Sequence, residues 1–186
     1  MATFKSDLVV KGIRHRSSHE GVLDSVTGRF RLNAGASVGT SDTFLAVPLG
    51  ENVRPLRIIL SLKEVSGTPA LSGGDFSVGV APITPGVNLK RPDGVEFPPL
   101  TASATQFSSS ADFDDGSATE IVIEPVPVPS ANTKWGPYYV TLTPTETSTV
   151  SGGAYDLNVT VEFAAEKEEA DPVYTEWLVN GGKYKN

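Results

Sequence analysis

The chain has 186 residues with 14 prolines, 18 glycines and no cysteine, which excludes disulfide bridges and thiolate metal sites. Its formal net charge of −7 at pH 7 argues against nucleic acid as the main partner, because phosphate binding needs a concentrated basic face. No apolar run approaches the roughly 18 residues of a membrane span, and the first residues do not resemble a signal peptide. We therefore expect a soluble protein that folds in the cytoplasm.

The N-terminal residues 1–20 are polar and basic, and we expect them to form an extended arm with a short strand at Leu8–Val10. Residues 1–66 carry nine Lys and Arg against six Asp and Glu, whereas residues 67–186 carry six against sixteen. Such asymmetry is typical of different partners at the two ends, although two halves that simply solvate a sandwich surface explain it equally well. The cations that we predict to bind a partner are Arg14, Arg16, Arg29 and Arg31.

Catalytic chemistry finds little support in the sequence. The histidines are His15 and His19, and their segment Arg-His-Arg-Ser-Ser-His-Glu-Gly predicts a solvated loop rather than a metal-binding helix. A Ser-His-Asp site would have to use one of these two histidines. We predict no catalytic residues, no metal and no cofactor, and we expect that the protein is not an enzyme.

Residues 21–165 are predicted to form a β-domain, because apolar and polar residues alternate with period two. The alternation is clearest in Leu56–Leu62, Phe76–Val80, Tyr138–Leu142 and Tyr155–Phe163, with shorter candidates at Arg29–Leu32, Phe44–Val47 and Ile121–Ile123. Glycine and proline turns separate these runs, which indicates an all-β fold, either an antiparallel β-sandwich or a jelly-roll-like barrel. The side chains predicted to be buried are Leu60, Val80, Val140, Leu157, Val159 and Val161.

Two stretches of this domain resemble each other. Ile58–Val80 and Tyr138–Val161 each contain two alternating runs, and Ser-Gly-Gly occurs in both, at 72–74 and at 151–153. We interpret them as two long hairpins that stack as the two sheets of a sandwich. Duplication and chance similarity of glycine-rich hairpins explain the resemblance equally well.

The stretch between them, residues 81–137, is rich in proline and serine and predicts an irregular excursion. Pro125, Pro127 and Pro129 lack the N–H groups that a central strand needs. Asp112, Asp114 and Asp115 resemble the start of a calcium loop, but the fifth and twelfth ligand positions do not fit, so a solvated turn is the better interpretation.

Residues 166–186 are predicted to form a C-terminal arm. Phe163–Ala170 is compatible with a short helical turn, which Asp171-Pro172 would end. Apolar and aromatic side chains then follow a charged run, and we expect them to dock either on the domain or on a neighbouring subunit. The residues predicted to make this contact are Tyr174, Trp177 and Leu178.

The first third of the chain resembles structural proteins of tailed bacteriophages. The resemblance lies in residues Ser41–Val53, which run into Leu56–Leu62, and in the opening residues 2–10. The shared pattern is a polar residue and Asp, an alternating strand, a Leu-Pro-like pair, a small-residue turn and an apolar strand. It implies a head decoration (cement) or minor capsid protein that clamps major capsid subunits from outside. The implied partners are the major capsid protein and further copies of the chain, with a trimer favoured, on the capsid surface of the virion. Nucleic acid and membrane are not among them.

Other functions remain open at this point. A carbohydrate- or receptor-binding sandwich of a phage tail or surface protein would use an aromatic platform of Trp135, Tyr138 and Tyr139, although Tyr138 fits the core better. A jelly-roll coat protein of a small virus would need a stronger arginine-rich arm than residues 1–20 provide. Adsorption to capsids in symmetric stoichiometry would distinguish the decoration protein from a monomeric sugar-binding module.

Overall fold

The computed structural model describes residues 2–12, 24–51, 53–90, 94, 96–113, 119–124 and 136–165. In these ranges the chain is almost entirely β-structure, with a single four-residue helix. The elements in chain order are β1 (Thr3–Lys5), α1 (Asp7–Val10), β2 (Asp24–Leu32), β3 (Ser37–Val38), β4 (Thr43–Leu49), β5 (Val53–Ser72), β6 (Asp75–Pro82), β7 (Leu89–Lys90), β8 (Glu96–Phe97), β9 (Ser103–Asp112), β10 (Glu120–Ile123), β11 (Tyr138–Pro144) and β12 (Ser148–Ala165).

Two sheets enclose one hydrophobic core. The first sheet has the order β1-β4-β11-β6-β9, and the second has the order β10-β5-β12-β2 with β3 paired to the start of β12. β7 and β8 form a separate two-stranded ribbon. The core takes side chains from both sheets, so the predicted all-β sandwich class is confirmed. All of the side chains predicted to be buried are buried: Leu60, Val80, Val140, Leu157, Val159 and Val161.

The predicted hairpins are wrong, because β5 and β6 belong to different sheets, as do β11 and β12. β5 instead pairs along its length with β12, and β6 pairs with β11. The second Ser-Gly-Gly is not a turn, since it lies inside β12, where Gly153 pairs with Gly67 and Gly152 lies at a register shift. A strand shows the same apolar-polar alternation whether the following strand pairs with it in one sheet or crosses to the facing sheet. The sequence pattern therefore could not distinguish a hairpin from a crossing between sheets.

Bulges explain two apolar residues of β5 that face solvent. Arg57 pairs with Glu162 and Pro55 pairs with Phe163, which leaves Leu56 without a partner and 41% exposed. Val65 is 39% exposed at a second register shift, opposite the step from Ala154 to Tyr155. Each bulge inserts one residue into β5 and turns the strand locally, so the predicted alternation fails at Leu56 and holds at Ile58 and Leu60, which are buried.

The N-terminal residues differ from the predicted extended arm. β1 pairs in parallel with β4, and the predicted strand at Leu8–Val10 is the helix α1. Ser6 caps this helix, because its buried hydroxyl accepts from the Val9 N–H at 3.3 Å and donates to the Ala46 carbonyl at 2.5 Å. A serine cap followed by Asp7 in the first turn outweighs the strand preference of Leu-Val-Val.

The middle of the chain is more regular than predicted. β9 lies within the stretch 81–137 and pairs with β6, although its register shifts twice. Most of its side chains are polar and partly exposed, and Phe107 and Ala111 are its buried apolar residues, so its periodicity is weak. Pro125, Pro127 and Pro129 lie outside the described residues. The predicted helical turn at Phe163–Ala170 is wrong up to Ala165, which belongs to β12, and its remainder lies outside the described residues.

Aromatic side chains connect the sheets inside the core. Phe44 contacts Phe4 in a stacked arrangement at 4.7 Å, Phe30 edge-on at 5.1 Å and Phe76 edge-on at 6.0 Å between ring centroids. The fully buried Tyr138 of the first sheet donates its hydroxyl to the Val53 carbonyl of the second sheet at 2.6 Å. Burial raises the pKa of this tyrosine far above its usual value. The neutral phenol therefore joins the two sheets by a hydrogen bond.

Candidate functional site: the edge groove

A groove of about 290 Å³ opens where the β1 edge of the first sheet faces the β2 edge of the second. We call it the edge groove. It is lined by side chains of the first third of the chain, from β1, β2, β3, β4 and the turn before β3. These residues are Phe4, Lys5, Arg29, Phe30, Arg31, Leu32, Ala36, Ser37, Val38 and Phe44.

Strand alternation directs apolar side chains of β1 and β2 towards the groove and the neighbouring cations to the outer faces of the sheets. In β2, Phe30 is buried while Arg29 and Arg31 are exposed on the opposite face of the strand. In β1, Phe4 is half-buried on Phe44 and the next residue, Lys5, is exposed. Adjacent residues of a strand point to opposite faces, so the aromatic rings lie towards the groove and the cations lie on the outer faces of the two sheets.

One carboxylate lies between the guanidinium groups of Arg29 and Arg31 on the outer face of the second sheet. Asp156 of β12 accepts from Nε of Arg31 at 2.6 Å and from Nη2 at 3.3 Å, and Nη1 of Arg29 lies 3.9 Å from its second oxygen. Its side chain is 10% exposed, whereas those of Arg29 and Arg31 are 54% and 46% exposed. Two arginines therefore share one largely buried carboxylate.

The position of the β2 strand is fixed by the N-terminal residues. The carboxylate of Asp7 accepts from the Arg29 N–H at 2.9 Å, on the edge of β2 that faces away from β12. Beside it, Gly28 approaches the Ala46 carbonyl so closely that a Cβ would overlap that oxygen. The two sheets are thus held together next to the groove, which sets the distance between its two edges.

The structure brings together two of the predicted partner-binding residues, Arg29 and Arg31. The others lie outside the described residues, namely Arg14, Arg16, Tyr174, Trp177 and Leu178. Sequence reasoning missed Lys5 and Asp156. The alternation of β12 predicts Asp156 at a solvent-facing position, and neighbouring polar residues gave no sign that it would pair with arginines of β2.

The described residues do not support the metal and sugar-binding sites considered above. Within the described ranges no cluster of His, Asp and Glu side chains is suited to a metal ion, and no helix is long and apolar enough to cross a membrane. His15, His19, Asp114 and Asp115 lie outside these ranges. Tyr138 is fully buried and cannot belong to a sugar-binding platform, while Trp135 is also outside the described part of the chain.

Comparison with known proteins gives a shared fold. Neither a family model nor a curated protein sequence matches the chain. Among solved structures, a chain in the capsid of Ralstonia phage GP4 aligns with a TM-score of 0.57 and 12% identity, over 89% of this chain and 99% of that chain. A chain in the capsid asymmetric unit of cyanophage Pam1 aligns with a TM-score of 0.46 and 15% identity, over 82% and 92% of the respective chains. The chain therefore has the β-sandwich fold of a protein found in the GP4 capsid.

Proposed function

We propose that the chain is a structural virion protein that binds the outside of a phage capsid and bridges its major capsid subunits. The observation that carries the proposal is the fold shared with the GP4 capsid chain, whose own length is spanned almost completely. That chain therefore consists of this sandwich and little else. The resemblance of Ser41–Val53 to tailed-phage structural proteins is independent support, because it rests on sequence pattern rather than on backbone shape.

The outer face of β2, beside the edge groove, provides a contact surface suited to this role. Arginine is favoured at protein interfaces, since its guanidinium group binds carboxylates bidentately and stacks on aromatic rings. Each contact of a cement protein is small, but the same contact recurs at every symmetric position of the shell, so the total stabilisation is large. In this proposal Arg14, Arg16, Arg29 and Arg31 bind acidic side chains of the major capsid protein, and Tyr174, Trp177 and Leu178 supply apolar contacts.

The protein acts as a homo-oligomer, with a trimer favoured, on the virion surface after synthesis in the host cytoplasm. It works without catalysis, cofactor, nucleic acid or membrane. The charged groups of Lys5, Arg29 and Arg31 support a binding role, because guanidinium and ammonium ions are poor general bases at neutral pH, and the carboxylate of Asp156 is held by Arg31.

Co-sedimentation with expanded capsids tests the proposal. We expect the wild-type chain to bind in symmetric stoichiometry, and Arg29→Gln combined with Arg31→Gln to weaken binding about tenfold or more. Lys11→Gln combined with Lys90→Gln removes the same charge from exposed sites outside the groove and is the matched control. Circular dichroism establishes that each variant is folded.

Deletion of residues 172–186 tests the second contact, and we expect a folded β-core that binds capsids more weakly. Trp177→Ala should reproduce much of that loss. Wild-type protein that ignores capsids but is retained on glycans as a monomer would favour the receptor-binding module instead.

A further inference from the structure

We propose that the outer face of the second sheet binds the same face of a second copy of this chain across a two-fold axis. The inference goes beyond the proposed function, because it describes a pair that the free protein forms before it meets a capsid, distinct from the oligomer proposed for the virion. It is carried by the order of the charges on this face, by an apolar row through its middle and by the area that the face offers.

The strand registers align the outward-facing side chains of β10, β5, β12 and β2 in rows. Alternate residues of each strand face outwards, because the residues between them lie on the side of the core. Residues that pair across neighbouring strands therefore lie in the same row. In order along β12, the rows run through Lys63, Asp156 and Arg31; through Glu120, Ser61, Asn158 and Arg29; through Val122, Ile59, Thr160 and Thr27; and through Arg57, Glu162 and Ser25.

A two-fold axis that runs parallel to the strands, midway between β5 and β12, lays each row on itself end for end. It exchanges β5 with β12, and β10 with β2, between the two copies. In two rows β5 carries a cation and β12 carries a carboxylate, so the exchange brings opposite charges together in both. The outer strands add a third pair in another row. The charges that meet across the axis are Arg57 and Glu162, Lys63 and Asp156, and Glu120 and Arg29.

The second axis that keeps the strands of the two copies aligned runs perpendicular to them, and charge disfavours it. That axis reverses the order of the rows and keeps each strand on itself, so Arg57 meets Lys63 and Glu162 meets Asp156. Juxtaposed like charges oppose association. The charges therefore specify one relative orientation of the two copies.

The third row supplies the apolar part of the contact. Val122 is 52% exposed, and its neighbour Ile59 is half-buried. The hydroxyl groups of Thr27 and Thr160 are hydrogen-bonded to each other at 2.7 Å, so they keep a partner when water leaves the face. The axis places Val122 on Thr27 and Ile59 on Thr160 of the second copy. Charged side chains lie on both sides of this row, as the polar rim lies around the apolar centre of a protein interface.

The size of the face indicates a weak pair. Its strands at a spacing of about 4.8 Å and its rows at about 6.8 Å give about 500 Å² per copy, or about 1,000 Å² in total, which is near the lower limit for a specific interface. Pairing covers Arg29 and Arg31, which the proposed function assigns to the capsid, so the two contacts exclude each other. A weak pair would thus cover these arginines in the free protein and release them to a capsid, and this consequence alone rests on the proposed function.

Sedimentation equilibrium of the full-length protein without capsids tests the pair. We expect a monomer–dimer equilibrium for the wild type, and association at least tenfold weaker for Arg57→Glu and for Glu162→Arg, since each variant places two like-charge contacts in the pair. The combined variant, Arg57→Glu with Glu162→Arg, restores opposite charges and should associate as the wild type does. Lys90→Glu is the matched control away from this face, because it breaks a similar exposed ion pair, 3.5 Å from Glu96 against 3.6 Å between Arg57 and Glu162.

A mixture of the two single variants tests the axis itself. Position 57 of one copy then meets position 162 of the other with opposite charge at both contacts, so the mixture should form one-to-one heterodimers as strongly as the wild type pairs. A wild type that is monomeric at all concentrations, single variants that associate as the wild type does, or a mixture no more associated than its components would each overturn the inference. The single variants retain Arg29 and Arg31, and we expect them to bind capsids at least as well as the wild type. Failure of the wild type to bind capsids would count against the proposed function alone.

Discussion

Gly28 lies at a close approach of the two sheets, on the inward face of β2 beside the Ala46 carbonyl. Gly28→Ala should destabilise the protein by about 1–3 kcal/mol, because the new methyl group overlaps a backbone oxygen that cannot rotate away. Gly39→Ala is the matched control, since a Cβ there meets no described atom within 4 Å. Urea unfolding gives both values, and equal midpoints for the two variants would contradict the close approach of the sheets.

Tyr138 provides the second test at the scale of one residue. Tyr138→Phe should cost about 1–3 kcal/mol, because the Val53 carbonyl loses its buried donor. The pKa of the phenol is raised by burial, so its contribution is fully present below the unfolded pKa of about 10 and is lost as pH rises further.

The wild type should therefore lose stability steeply above about pH 10, and Tyr138→Phe should lose less over the same range. Unfolding midpoints measured at pH 8 and at pH 11 check this difference. Parallel alkaline losses in the two proteins would show that another group is responsible.

Part of the arginine cluster could be predicted from the sequence. The bias of arginine towards the first third of the chain singled out Arg29 and Arg31, and the structure places both beside one groove. Their shared carboxylate could not be predicted, because Asp156 meets Arg31 through strand pairing between residues far apart in sequence. Period-two patterning gives the face on which a side chain lies and says nothing about which strand lies next to it.

At the scale of elements, β12 is the centre of the second sheet, between β5 and β2. Val159→Asp should destabilise the domain by about 3–5 kcal/mol, because it buries a carboxylate without a partner at a fully buried position. Asn158→Asp is the matched control on the outer face of the same strand, where its register partner is Arg29. Thermal unfolding of both variants tests the assignment, which fails if Val159→Asp melts at the wild-type temperature.

Strands could be predicted where one face is apolar and the other polar, as in β11 and β12. Strands whose two faces have similar polarity were missed. β9 carries mostly polar side chains on an edge of the first sheet, so it lacks the contrast that makes alternation visible. The connection from β5 to β6 also could not be predicted. A short glycine turn serves equally well for a hairpin and for a corner between sheets, and packing of the facing sheet decides between them.

At the scale of the whole molecule, the fold depends on contacts between distant parts of the chain. β5 pairs with β12 from Val53 opposite Ala165 to Ser72 opposite Thr149, so the second sheet is complete once nearly the whole domain has been made. High sequence separation of contacts slows folding because loop-closure entropy is lost before the contacts form. We expect refolding on a time scale of roughly milliseconds to seconds, measured by stopped-flow fluorescence. Refolding within microseconds would contradict this topology.

The contact of Asp7 with the Arg29 N–H has a consequence for how copies of the chain can associate. β2 ends the second sheet, and an uncovered edge strand is a template on which another strand can grow. The Asp7 carboxylate takes one of the donors that such a strand would need, and its negative charge repels an incoming carbonyl oxygen. We therefore expect open-ended ribbon growth to be disfavoured at this edge, which leaves side-chain contacts as the means by which copies of the chain associate.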